Sequence, residues 1–374
     1  MSRSTTGPAG ADVVVVGGGI AGVSAAAELA VGGAEVVLIE AEGQLGHHTT
    51  GRSAALFSET YGSHVVRSLT VASRSFFESP PPGFDRPLLT ARGALWVAPP
   101  GQEDDARAEA ASGRELVPSV EYLDGTEARA WCPVLRAEAV AAAVWEPDAD
   151  DIDVNALLTG YRRMATMAGA IIATSCALVS ARRDRERWHI ETTTTPLTAS
   201  VLVDAAGAWA DAVAQSCGVE PLGLTPLRRT AFLFDIPGHA PDPVWPLVVD
   251  LAGTYYFKPE SGRLLGSPAD ETPSEPCDAR PEEVDVAIAL DRIGAALGVE
   301  LQHASRPWAG LRTFAPDRTP VVGPERDAPG FVWVAGQGGY GIQTAPAMAR
   351  AATAAVMGRD SELLPVLSPA RLRA

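Results

Sequence analysis

The sequence predicts an α/β protein with a Rossmann-like nucleotide-binding domain gathered from separated segments of chain. Three stretches carry that prediction: "DVVVVGGGIAGVSAAAELAVGGAEVVLIEAE" near the N-terminus, "ASVLVDAAGAWADAVAQSCG" in mid-chain and "FVWVAGQGGYGIQTAPAMARAATAAVMGRD" near the C-terminus. Each begins with a short apolar run, passes through glycines and continues into a helix-forming segment.

In the first stretch, Val13–Val16 is a continuous β-branched run, as expected of a strand buried on both faces. Gly17, Gly19 and Gly22 fit G-x-G-x-x-G: one glycine for the tight turn, one for close approach of backbone to a pyrophosphate, one for helix–strand packing. A helix rich in Ala, Glu and Leu follows and closes at Gly32-Gly33. "EVVLIE" is a second strand. It ends in Glu40, 18 residues past Gly22, where a carboxylate accepts from ribose hydroxyls and repels a 2′-phosphate. In the mid-chain stretch, Val201–Val203 is a strand leading to a helix that runs to about Cys217. In the last stretch, Phe331–Ala335 is a strand, and a helix extends from about Thr344 to Met357 with Gly358 at its end. No second strand and no acidic terminus follow, so this glycine turn is half a unit. It presents a positive helix N-terminus to the same cofactor that the first turn grips.

The chain has 374 residues, which implies two domains. Its 30 basic and 46 acidic residues give −16, which argues against a nucleic-acid or anionic-lipid partner and requires any anionic substrate to meet local arginines. Cys132, Cys176, Cys217 and Cys277 are scattered without metal-ligand spacing, so no metal is expected and the setting reads as reducing. "MSRSTTGPAG" reads as a disordered leader without a signal-peptide core, and no apolar run is long enough to span a membrane. The expectation is a cytoplasmic enzyme.

The motifs "VVVVGGGIAG…VVLIE", "TTGRSAA", "DAAGAW", "WAGLRTF" and "GQGGYGIQT" occur in an order that resembles the FAD-dependent D-amino-acid oxidase superfamily. "PLGL", "YFKP", "LLGSPA" and "WAGLR" are similar to the bacterial D-arginine dehydrogenase type. The resemblance implies an FAD domain from about 1–80, 145–220 and 305–374, and an α+β substrate domain with a mainly antiparallel sheet from about 81–144 and 221–304. Stretches 80–87 and 146–153 read as boundaries, and 245–268 as hairpins. The cofactor implied is FAD, held non-covalently. Its contacts are expected at Gly17, Gly19, Ile20, Ala21 and Gly22; at Glu40 and Ala41; at Gly51, Arg52, Ser53 and Ala54; at Val179; at Ala206, Gly207 and Trp209; at Gly310; and at Gly338, Gly339, Tyr340, Gly341, Ile342 and Gln343.

The activity implied is oxidation of a D-amino acid by hydride transfer to flavin N5, with hydrolysis of the imine to a 2-oxo acid. The chain must then hold a carboxylate, for which an arginine fork beside a tyrosine hydroxyl is suited. In similar enzymes the residues matching Tyr256 and Arg312 clamp it and the one matching Arg229 lies nearby; Tyr255 is the rival to Tyr256, and Tyr61 walls the site. His47 and His48 read as exposed loop residues, not as a base. The D-arginine pattern has an acid where Ala94 stands and a histidine where Leu56 stands, so a neutral, apolar side chain is expected, with Asp85 as an alternative source of charge. The alternative reading is an oxidase of glycine, sarcosine or a cyclic imino acid. Relatives of that kind tether flavin to a cysteine just after the arginine region, where this chain has Thr313 and Phe314. A flavin monooxygenase and a non-catalytic flavoprotein are weaker alternatives. The partners expected are a small amino acid and an electron acceptor: a quinone, a dye-like acceptor or O2.

Overall fold

The computed structural model describes residues 10–373, so the expected leader lies almost wholly outside the described residues. Two large sheets organise the chain. In the first, strand β1 (Ala11–Val16) lies between parallel neighbours β2 (Val36–Ile39) and Leu197–Asp204. Its valines are nearly inaccessible on both faces, as the unbroken β-branched run requires. Helix α1 (Ile20–Val31) packs against the helices Val154–Met167 and Ala345–Met357. Ala25, Ala26 and Ala27 are fully buried there, and their small side chains let the helices approach closely.

Strand Leu197–Asp204 joins the separated segments. One edge follows β1. On the other edge, its first half pairs antiparallel with Arg187–Thr192 and its last residues pair parallel with Phe331–Ala335. The C-terminal glycine turn is thereby set beside the N-terminal one.

The second sheet has nine strands and is mainly antiparallel. Leu247–Asp250, Tyr256–Glu260 and Arg263–Ser267 form a meander where hairpins were expected. Thr225–Phe234 pairs along its length with Ala304–Phe314. The expected limit at 305 assigns that last strand to the FAD domain; its hydrogen bonding places it in the second sheet. Ala142–Glu146 also belongs there, two residues beyond the expected limit at 144. The supposed boundary at 146–153 contains strand Asp150–Ile152, which pairs with Leu56–Phe57 and Leu89–Ala91 in a small third sheet. Among the described residues, no helix is long and apolar enough to cross a membrane.

Candidate active site

A cleft of about 520 Å³ runs between the two large sheets. One end is made of backbone. Gly17–Ala21 and Glu40–Glu42 line it. A Cβ on Gly22 would stand 1.9 Å from the Gly17 carbonyl oxygen, so only glycine lets α1 start this close to the strand. Gly19 caps α1 without a side chain, leaving the positive end of the helix facing the cleft. Glu40 accepts from the N–H groups of Gly18 and Glu42, one on each carboxylate oxygen. Each oxygen keeps a lone pair for a ribose hydroxyl.

The opposite end is made of side chains. Arg312 and Arg229 come from the paired strands Ala304–Phe314 and Thr225–Phe234, and Tyr256 from the meander; all three line the cleft. Tyr255 points the other way, into the core of the second sheet. Arg229 donates through Nε to the Asp270 carbonyl (2.7 Å) and lies 3.4 Å from the Glu271 carboxylate. Among the described residues, the one hydrogen bond of the Arg312 guanidinium is to the Tyr61 hydroxyl, at 3.4 Å, and it has no acidic partner. Burial lowers the Arg312 pKa, but the phenols of Tyr61, Tyr256 and Tyr340 outweigh it and favour the cation. Arg229 is pushed down, first by burial and then by the charge of Arg312. Two guanidiniums facing one space are short of an anion.

The C-terminal turn closes this end with Gly336, Gly338, Gly339, Gly341 and Ile342. A Cβ on Gly338 would meet the Phe314 ring at 2.2 Å. Ile20, Ala21, Ala41, Ser53, Ala54, Ala206, Gly207, Trp209 and Gly310 line the cleft as expected from the sequence.

Several expected contacts stand elsewhere. Val179 is 57% exposed on the Leu178–Asp184 strand, and Ala177 and Leu178 line the cleft in its place. Strand alternation turned the wrong residue inward. Gly22 and Gly51 support the turns from behind; Gly51 donates to the Gly46 carbonyl. Gln343 is spent on Ser58 and Thr70, and Tyr340 packs on Tyr61. Arg52 lines the cleft, yet its guanidinium is engaged by Asp278 and the carbonyls of Ala279 and Ala309. It ties the rim together.

His47 and His48 are not exposed loop residues. Both line the cleft half-buried, with His48 3.0 Å from the Glu42 carboxylate and tilted against Trp209. Glu42, His47 and His48 bring one donor atom each within 4.8 Å of one another. Ala94 is fully buried and does not reach the cleft; nor does Leu56. Asp85 is exposed and paired with Arg163. The expected apolar side-chain pocket therefore loses its basis. In register with Ala94 stands Glu146, a buried acid whose oxygens are taken by Ser58, Glu59 and Thr60. Asp278, Ala231 and Thr50 went unforeseen, since no glycine or arginine spacing marks them.

Residues 12–355 match the model of the DAO family, FAD dependent oxidoreductase. The chain belongs to the DAO family of FAD-dependent oxidoreductases. Its cofactor is FAD, and the glycine cradle, Glu40 and the C-terminal turn fit it: the cleft has a backbone site for a pyrophosphate at one end and a cation-rich space at the other. It is 27% identical to the glycine oxidase of Geobacillus kaustophilus (strain HTA426), over 90% of each chain. It is 25% identical to the mitochondrial dimethylglycine dehydrogenase of Homo sapiens, covering 91% of this chain and 42% of that longer protein. The crystal structure of L-proline dehydrogenase from P. horikoshii superposes with a TM-score of 0.85 at 21% identity, over 98% of both chains. The family expected from the motifs is thus confirmed. The narrower likeness to D-arginine dehydrogenases is not what these relatives display.

Proposed function

We propose that this family member oxidises the carbon–nitrogen bond of a small α-amino acid of the glycine or N-alkylglycine kind, its carboxylate held by Arg312, Arg229 and Tyr256. The observation that carries the reading is the Arg312 guanidinium, facing the cleft beside a second arginine with no carboxylate of its own. A bound carboxylate supplies the missing charge through a two-pronged contact, and the tyrosine hydroxyls complete its hydrogen bonding.

FAD, when bound, supplies the two-electron acceptor. The chain supplies position. Arg312 and Arg229 fix one end of the substrate, which leaves the α-carbon and nitrogen as the parts free to face the ring. The acids that line the cleft are Glu40, Glu42 and Asp278; Glu40 holds the glycine turn, Glu42 pairs with His48 and Asp278 with Arg52. Glu271, beside Arg229, is held by Arg229 and Arg318. With these acids all paired, the substrate amine enters neutral and the rate climbs with pH. The relatives named glycine oxidase and dimethylglycine dehydrogenase support glycine-type donors over D-amino acids with large side chains. Ala231 and Gly310 line the cleft without a charge of their own, and Asp278 is paired with Arg52.

The test is anaerobic mixing of the FAD-loaded protein with glycine, sarcosine, N,N-dimethylglycine, L-proline, D-alanine and D-arginine, following loss of flavin colour, then admission of air to compare O2 with a quinone as acceptor. Fastest bleaching by glycine or its N-methyl derivatives is expected. Fastest bleaching by D-alanine or D-arginine overturns the substrate class, and bleaching by none overturns amine oxidation.

A further inference from the structure

We propose that Tyr61 is the size filter of this active site and that Glu146 is the positioning residue that holds it in place. The inference rests on the reading of the site as one for a small amino acid, and deepens it.

A second cavity, of about 470 Å³, lies behind the arginine end of the cleft. Tyr61, Trp96, Val144 and Leu251 form its apolar side, and Arg67, Gln102, Asp105 and Glu109 its polar side. Tyr61 lines the second cavity and touches the wall of the first. Its hydroxyl meets Arg312, which lines the first, and its ring lines the second. The ring is wedged between Trp96 and Tyr340, with centroids 5.9 and 5.0 Å away. The side chain therefore stands as a partition between the arginine end of the cofactor cleft and the adjoining cavity.

A loop tyrosine can serve as a partition only if its backbone is fixed, and here it is fixed from two sides. Glu146, 1% exposed at the end of a second-sheet strand, accepts from Ser58 Oγ (2.7 Å), Glu59 N–H (2.9 Å) and Thr60 Oγ1 (2.5 Å). Gln343, beside the C-terminal glycine turn, accepts from the Ser58 N–H and donates to its carbonyl. The next residue, Gly62, turns with φ +94° where a Cβ would meet the Tyr340 ring at 3.0 Å. Three consecutive residues before Tyr61 are thus tied to a strand more than 80 positions away. A buried carboxylate with each oxygen engaged is costly to disturb. Removing it frees the loop.

The experiment compares sarcosine with N-benzylglycine as reductants of FAD-loaded protein under anaerobic conditions, in wild type, Tyr61→Phe, Tyr61→Ala, Glu146→Ala and the Tyr61→Ala/Glu146→Ala double variant. Wild type is expected to favour sarcosine. Tyr61→Ala joins the two cavities and shifts the ratio of kcat/KM values toward N-benzylglycine by at least ~10-fold, the scale of a pocket-size effect. Tyr61→Phe keeps the partition and the preference, and raises KM for both. Glu146→Ala shifts the ratio in the same direction, and the double variant adds little to Tyr61→Ala alone because the anchor acts through the ring. If Glu146→Ala does not retain FAD, Ser58→Ala and Thr60→Val loosen the same contacts more gently and give the same readout. An unchanged ratio in Tyr61→Ala overturns the filter, and independent additive shifts overturn the anchoring. Wild type that no amine reduces points to failure of the functional reading; wild type that sarcosine reduces while the variants keep its preference points to failure of this one.

Discussion

At the glycine-turn end of the cleft, recognition is done mainly by backbone: a tight glycine turn and a helix terminus with only Thr50 on its first N–H. At the arginine end it is done by side chains delivered from three strands of another sheet, each held by neighbours distant in sequence. The first kind of site tolerates no added atom at Gly17 or Gly22, whereas the second tolerates change in proportion to the contact removed. FAD retention and substrate handling should therefore come apart under mutation.

The largest effect is expected at Gly22. Gly22→Ala places a methyl on the Gly17 carbonyl, and FAD affinity should fall about 100-fold or more, roughly 2.7 kcal/mol, as read from flavin content and titration. Normal FAD content in this variant would break the contrast at its rigid end. Arg312→Gln is next. It leaves flavin content intact while kcat/KM falls by about 10³, roughly 4 kcal/mol, the scale for losing one partner of a desolvated charge pair. Loss of FAD in this variant would show the two ends to be one unit.

A smaller effect sharpens the side-chain end. Burial raises the Tyr61 pKa, but the charges of Arg312 and Arg229 outweigh it and the net direction is downward. As pH rises through that lowered value, the phenolate neutralises Arg312 and carboxylate affinity declines. Tyr61→Phe is expected to raise KM about 5-fold near neutrality, roughly 1 kcal/mol for one net hydrogen bond, and to move the alkaline loss to higher pH. A KM–pH profile identical to wild type would exclude this role. The smallest effect concerns the strand between the two ends. Asp204 is fully buried, one oxygen bonded to the Ala206 N–H and the other without a partner, and burial holds its pKa well above the ordinary carboxyl value. The folded chain keeps this proton where the unfolded chain has lost it, so stability falls as pH rises from the unfolded value toward the folded one. Asp204→Asn should remove that slope and stabilise the fold at neutral pH by on the order of 1 kcal/mol, measured by denaturant unfolding across pH.

The same contrast explains what the sequence disclosed. Gly17, Gly19 and Gly22 could be read from spacing because the constraint is local: turn, helix and strand lie within one short segment. The C-terminal turn was legible for the same reason. Arg312, Arg229 and Tyr256 were found through motif likeness, and their common target depends on the pairing of strands some 80 positions apart, which no local pattern encodes. Ala94 and Leu56 misled because a strand residue's face depends on register. Glu146 and Gln343 carry no signature at all, since a buried hydrogen-bonding acid or amide resembles a surface one until its partners are known. The domain limits slipped where long strands crossed from one segment to the other.

Strand Phe331–Ala335 completes the sheet beside Leu197–Asp204 and carries the turn that closes the cleft. A nascent chain therefore presents its first glycine turn long before the second. A chain halted before about residue 340 carries only half of the grip.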